Sequence, residues 1–166
     1  MAKAYAMTGW RMGYIAAPAP ITTQILKLHQ YAIMCAPTTS QYAAIEAVKN
    51  GDEDVKMMAA EYNRRRVAII EGLNKIEGVF TPCPMGAFYT IAELPVDDTE
   101  NFAKWMLEEF RLDNETTMVT PAASFYKTPG MGKNHARIAY VLEVDEMKKA
   151  LHILEEGLKA YPGRTI

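Results

Sequence analysis

One segment constrains this chain more than any other. From Asp52 onward, Val55, Met58, Tyr62, Ile69, Leu73 and Ile76 recur on one side of a helical repeat, up to Gly78. The spacing predicts a helix of about six turns at 3.6 residues per turn, with Asp52 as N-cap and Gly78 as its stop. A helix with a single apolar stripe must bury it against another layer. The residues that follow can supply that layer. Val79-Phe80 and Gly86–Ala92 read as strands, separated by a break at Pro82 and Pro84. Asp98 or Thr99 then caps a helix whose Phe102, Trp105, Met106 and Phe110 point inward. Thr116–Thr120 reads as a strand entering a loop rich in Pro and Gly (121–132), and His135–Val141 alternates as another strand. A last helix, capped by Asp145, carries Met147, Leu151, Leu154 and Leu158 and ends at Tyr161-Pro162-Gly163. The order predicts an α/β fold, a small sheet packed with helices and partly antiparallel.

The first fifty residues fit this plan less well. Residues 11–17 (RMGYIAA) read as a strand stopped by Pro18 and Pro20. Ile21–Ile33 follows as a helix, and Cys35-Ala36-Pro37 breaks it, because a residue before proline leaves the α region. Thr38, Thr39 and Ser40 can each cap a second helix, which runs to Lys49 and stops at Asn50-Gly51. The lone strand has no evident neighbour, and an unpaired strand is not stable in isolation. It is expected to be disordered or paired with another copy of the chain. Apolar surface on the two helices should favour self-association.

Composition excludes several classes. A net charge of −2 gives no reason to expect nucleic acid or an anionic membrane as partner. The longest apolar runs, such as Val67-Ala68-Ile69-Ile70, are too short to span a bilayer, and no secretory signal is read at the N-terminus. Cys35 and Cys83 lack CxxC spacing and the three histidines are scattered, so no metal site is expected; a single disulfide stays open. A cytoplasmic, reducing setting is the default. Eleven methionines read as adaptable core filler, and Arg64-Arg65-Arg66 as a solvated flank whose stems cover the core edge.

The chemistry is concentrated in the opening stretch, MAKAYAMTGWRMGY. A lysine amine becomes a carbonyl nucleophile when its ammonium form is disfavoured by desolvation or a nearby cation. Arg11 follows Lys3 by eight residues across a segment containing Gly9. Arginine offers a rigid fork suited to a phosphate, and glycine lets backbone approach a ligand. A phosphorylated aldehyde cofactor would need both groups. By pattern alone, the same residues fit two solvated charges, with Trp10 as a core anchor.

The run from Lys3 to Tyr14 closely resembles the lysine segment of the class I/II aminotransferases, which are fold type I enzymes using pyridoxal 5′-phosphate (PLP). Of the SK-x-x-x-M-x-G-x-R-x-G pattern only the serine is missing, with Ala2 in its place, and Thr8-Gly9-Trp10-Arg11 is typical of the aspartate aminotransferase-like subgroup. Pro84-Met85-Gly86-Ala87-Phe88-Tyr89 resembles the family's P-x-G-A-F-Y strand. Thr120-Pro121-Ala122-Ala123-Ser124-Phe125 is similar to its V-P-G-x-x-F loop, with Ala122 where glycine is usual. Asn134-His135-Ala136-Arg137-Ile138-Ala139 resembles the strand whose arginine holds the substrate α-carboxylate. The resemblance implies Lys3 as the Schiff-base lysine, Arg11 as the phosphate-binding arginine and Arg137 as the carboxylate-binding one. It implies PLP as cofactor, an amino acid such as aspartate and a 2-oxo acid as substrates, and a homodimeric parent.

By the same resemblance, residues 1–20 are a remnant of the PLP-binding large domain, 21–50 are connector helices and 51–166 are the C-terminal small domain, built on a small mixed sheet. Family chains are more than twice as long, with the lysine past the middle. The phosphate-binding turn, the ring that stacks on the pyridine and the aspartate that pairs with its nitrogen would all lie upstream. Met1-Ala2 therefore reads as an artificial or alternative start. Two functions compete: the C-terminal portion of an aminotransferase, inactive alone, or a non-catalytic binding module derived from its small domain. An intact enzyme of unusual brevity is the third and weakest.

Overall fold

A computed structural model describes all of residues 1–166. The chain divides into two compact units, Met1–Ala60 and Glu61–Ile166.

The first unit is built on turns and helices. Pro18 precedes helix α1 (Ala19–Ala32), and Pro20 sits in its first turn, where a missing N–H costs no hydrogen bond. The chain leaves α1 through Met34, whose positive φ of 71° lets its N–H reach the His29 carbonyl. Helix α2 (Thr38–Asn50) follows, and Gly51 separates it from helix α3 (Asp52–Leu73). No residue of α1 is buried, and in α2 only Ser40 and Ala44 are. The expected strand over 11–17 does not form: these residues pair with nothing, since this unit holds no strand to satisfy their backbone. The expected caps at Thr38, Thr39 and Ser40 are not used either. Pro37 occupies the N-cap with no side-chain bond, and Ser40 Oγ donates instead to the Trp10 carbonyl at 2.7 Å.

The second unit contains the expected α/β fold. A three-stranded sheet has the order β1 (Tyr89–Glu93), β3 (His135–Ala139), β2 (Thr120–Pro121), and both pairings are antiparallel. The last strand in sequence is therefore the central one. Its register sets Arg137 opposite Ile91 on one side and Thr120 on the other. Helix α4 (Thr99–Glu108) is capped by Asp98, whose side chain accepts from Glu100 N at 2.8 Å. Helix α5 (Val144–Ala160) closes the unit. Thr90, Ala92 and Ala136 face the core, with Leu73, Leu94, Phe102, Met106, Tyr140 and Leu158 fully enclosed. Gly157 brings α5 onto α4: a Cβ there would stand 2.5 Å from Met106 Sδ.

Several elements are shorter than the pattern suggests. Helix α3 ends at Leu73, and turns that pass through Gly78, at a φ of 76°, carry Ile76 and Val79 into the core. Val79-Phe80 contributes one bridge, from Phe80 to Glu93, rather than a strand. Strand β1 begins at Tyr89 because Ala87 takes a positive φ of 62°. Of the expected 116–120 strand only Thr120 pairs, continued by Pro121, and Thr116 and Thr117 donate their hydroxyls to the Met106 and Ala150 carbonyls. Asp145 lies inside α5 rather than capping it.

Candidate functional site

In the first unit, Lys3 and Arg11 lie on one folded segment. Tyr5 N donates to the Met1 carbonyl at 3.1 Å, Ala6 N to Lys3 O at 3.2 Å and Trp10 N to Met7 O at 3.2 Å. Thr8 Oγ1 donates to Ala2 O at 3.0 Å, drawing the ends of the turn together, and Arg11 Nη1 donates to Thr8 O at 3.4 Å. Ala6 and Arg11 both adopt left-handed backbone, at φ 51° and 52°. Non-glycine residues hold such a conformation only where the surroundings over-determine it. Here that support is Met7, buried beneath the turn, and the Ser40 hydroxyl on Trp10 O. The expectation that Trp10 anchors a core fails, because its ring is 46% exposed and Met7 takes that place. Both Lys3 and Arg11 are exposed. A cavity of about 640 Å³ in the same unit has an apolar wall that includes Met12, Tyr14, Met34, Ile45 and Val48; neither Lys3 nor Arg11 lines it.

In the second unit, Arg137 stands on the open face of the sheet, half-buried in the middle of β3. Its Cζ lies 5.3 Å from the centroid of the Phe125 ring and 5.7 Å from that of Tyr89. Phe125 ends a 3-10 turn (Ala123–Phe125) that leaves β2 and is pinned by Ala122 N donating to His135 O at 2.9 Å. Ala122 is wholly buried. Guanidinium over aromatic rings is a favourable electrostatic arrangement that leaves the N–H fork available for an anion. Arg137 forms no ion pair with a carboxylate of the chain. On the same face, Tyr126 Oη lies 2.7 Å from His135 Nδ1. Neither of these two was singled out from the sequence; period-two alternation along β3 could have put His135 on the face of Arg137, but it carries no signal for Tyr126.

The other basic cluster is structural. Arg64 makes two hydrogen bonds to Glu61, and Arg65 joins Glu61 to Glu143 and to the Val141 carbonyl. The hydrogen bonds from Arg64 and Arg65 hold the Glu61 carboxyl down at about 2. Arg66 spans Asn63 and the Cys83 thiol. Both cysteines are free, and no group of His, Cys, Asp and Glu could hold a metal ion. No helix is long and apolar enough to cross a membrane.

Comparisons with known proteins bear on the family and the fold. The sequence profile of aminotransferase class I and II matches residues 1–154. A Bacillus subtilis protein provisionally named an aminotransferase (YugH) is 40% identical over 151 residues, covering 90% of this chain and 37% of that protein. The aspartate aminotransferase of Pyrococcus horikoshii is 32% identical over 161 residues, covering 95% and 39%. The crystal structure of an aromatic aminotransferase from P. horikoshii superimposes with a TM-score of 0.80 at 34% identity, covering 94% of this chain and 40% of that one. The chain thus spans about two fifths of the length of the relatives it matches. With a family profile over nearly its whole length and the fold of solved members, the chain belongs to the class I and II aminotransferases.

Proposed function

We propose that this chain is the C-terminal portion of a PLP-dependent aminotransferase that moves an amino group between an amino acid, such as aspartate, and a 2-oxo acid. Residues 1–20 are then the remnant of the cofactor-binding large domain, 21–50 the connector and 51–166 the small domain. The observation that carries this reading is the placement of Lys3 and Arg11 on one hydrogen-bonded, strained segment. By their chemistry, an amine and a guanidinium suit the two ends of PLP, the aldehyde and the phosphate.

Bound PLP would supply the electron sink for loss of the substrate α-proton. Three residues of this chain would act beside those of the large domain. Lys3 would hold the cofactor, and its Nζ would take the α-proton and return it. Arg11 would neutralise the phosphate and fix that end. Arg137 binds the substrate α-carboxylate through its fork, which removes rotational freedom before reaction. The exposure of Lys3 supports inactivity of the chain alone, because it leaves the side chain outside any enclosed site that could exclude water from the reaction. In the parent, by family, the active form is a homodimer, and free Cys35 and Cys83 suit a reducing cytoplasm.

The test mixes the purified chain with PLP, aspartate and 2-oxoglutarate. Weak cofactor absorbance and no transamination are expected, with turnover restored only on adding the large-domain portion of a relative. Robust turnover by the chain alone, abolished by Lys3→Ala, would overturn the fragment reading.

A further inference from the structure

Strand β3 turns His135 and Arg137 to the same face, two residues apart, and the segment after β2 meets that face with two adjacent rings. Phe125 lies over Arg137. Its neighbour Tyr126 meets His135, hydroxyl to Nδ1 at 2.7 Å, the rings crossing at 67° with centroids 5.5 Å apart. The two contacts differ in kind. A cation–π contact tolerates sliding of the ring, and Phe125 is 54% exposed, so packing alone does not hold it. A hydrogen bond demands distance and angle. With the imidazole proton on Nε2, the Tyr126 hydroxyl donates to Nδ1 and fixes the segment to β3 in one register.

The surroundings reinforce that bond. Gly132 has a φ of 70°, and a Cβ there would stand 2.3 Å from Tyr126 Cε2, so the phenol ring has a seat that only glycine leaves open. The His135 carbonyl accepts from Ala122 N and from Thr99 Oγ1, each at 2.9 Å. His135 is thus tied through both its backbone and its ring to the turn that carries Phe125.

We infer that Tyr126 and His135 form a positioning pair, which sets where Phe125 lies over Arg137 and so how the guanidinium fork is presented to a carboxylate. The last step rests on the carboxylate role proposed for Arg137; the first does not.

The experiment follows the Arg137 Nε–Hε resonance of the ¹⁵N-labelled full chain, assigned by its loss in Arg137→Lys. Ring currents from Phe125 displace this resonance, and Phe125→Ala gives the position without them. Tyr126→Phe keeps the ring and deletes the bond. It should move the resonance most of the way to its Phe125→Ala position, while His135→Asn, which retains an acceptor near Nδ1, should hold it near the wild-type position. An unmoved resonance in folded Tyr126→Phe overturns the proposal. Should that variant not fold, His135→Ala carries the same expectation, and an unmoved resonance there overturns it equally. Titration with succinate then separates the two steps. If succinate shifts the wild-type resonance saturably, Tyr126→Phe should raise the half-saturation concentration about fivefold, the size expected from one neutral hydrogen bond. An unchanged value overturns the presentation step. If succinate shifts nothing, the carboxylate role of Arg137 falls, and the ring-current result alone decides the positioning pair.

Discussion

Asn74 shows how a single side chain can complete a turn. Its amide donates to the Thr81 carbonyl at 3.1 Å and accepts from Thr81 N at 2.9 Å, which satisfies both backbone groups of a buried residue. Thr81 Oγ1 in turn lies 2.6 Å from Thr90 Oγ1 beneath the sheet. Asn74→Ala orphans the two Thr81 groups, and we expect a loss of about 1–3 kcal/mol in urea unfolding. Glu61 gives a pH prediction. Its carboxyl is held at about 2, against 4.5 unperturbed, chiefly by hydrogen bonds from Arg64 and Arg65. A depressed acid contributes stability that is complete above its unfolded value and is lost as pH falls toward its folded one. Melting temperature should therefore decline between pH 4.5 and about 2, and Glu61→Gln should flatten that decline. At this scale Lys3, Arg11 and Arg137 stood out through the motifs that resemble the family, whereas by pattern alone they are ordinary solvated charges. Tyr126 and His135 did not stand out: their partnership joins two segments nine residues apart through a turn whose course no local pattern specifies.

At the scale of elements, helices were the most readable and strands the least. Apolar periodicity placed α4 and α5 to within a few residues, since their stripes do face the core, while α1 and α2 were bounded by Pro18, Pro37 and Asn50-Gly51. A strand exists only if another strand pairs with it, and residues 11–17 carry the alternation without the partner. Ala87, Asp113 and Asn114, all at positive φ, interrupt the backbone where composition offered no glycine as a marker. The cap of α4 was legible because Asp98 competes for the exposed N–H groups of the first turn. Asp98→Ala should cost about 1 kcal/mol, measured by thermal unfolding.

At the scale of the whole molecule, the two units differ sharply. The second encloses an almost continuous apolar core, whereas the first buries little beyond Met7, Ser40 and Ala44 and leaves Leu28, Tyr31 and Tyr42 largely bare. Tyr31 is 94% exposed. Exposed apolar side chains in such number favour association. Sedimentation should show concentration-dependent self-association, and the double substitution Leu28→Glu with Tyr31→Glu should shift it toward monomer. An unchanged distribution would locate the contact elsewhere. The order of the sheet has a further consequence, for synthesis on the ribosome. Because β3 is central yet last of the three strands, β1 and β2 emerge with no mate to bond. Nascent chains that stall before His135 carry two open edges, the form most prone to mispairing with neighbours. Rare codons just upstream of that strand would therefore lower the soluble yield of a protein whose finished fold is unchanged.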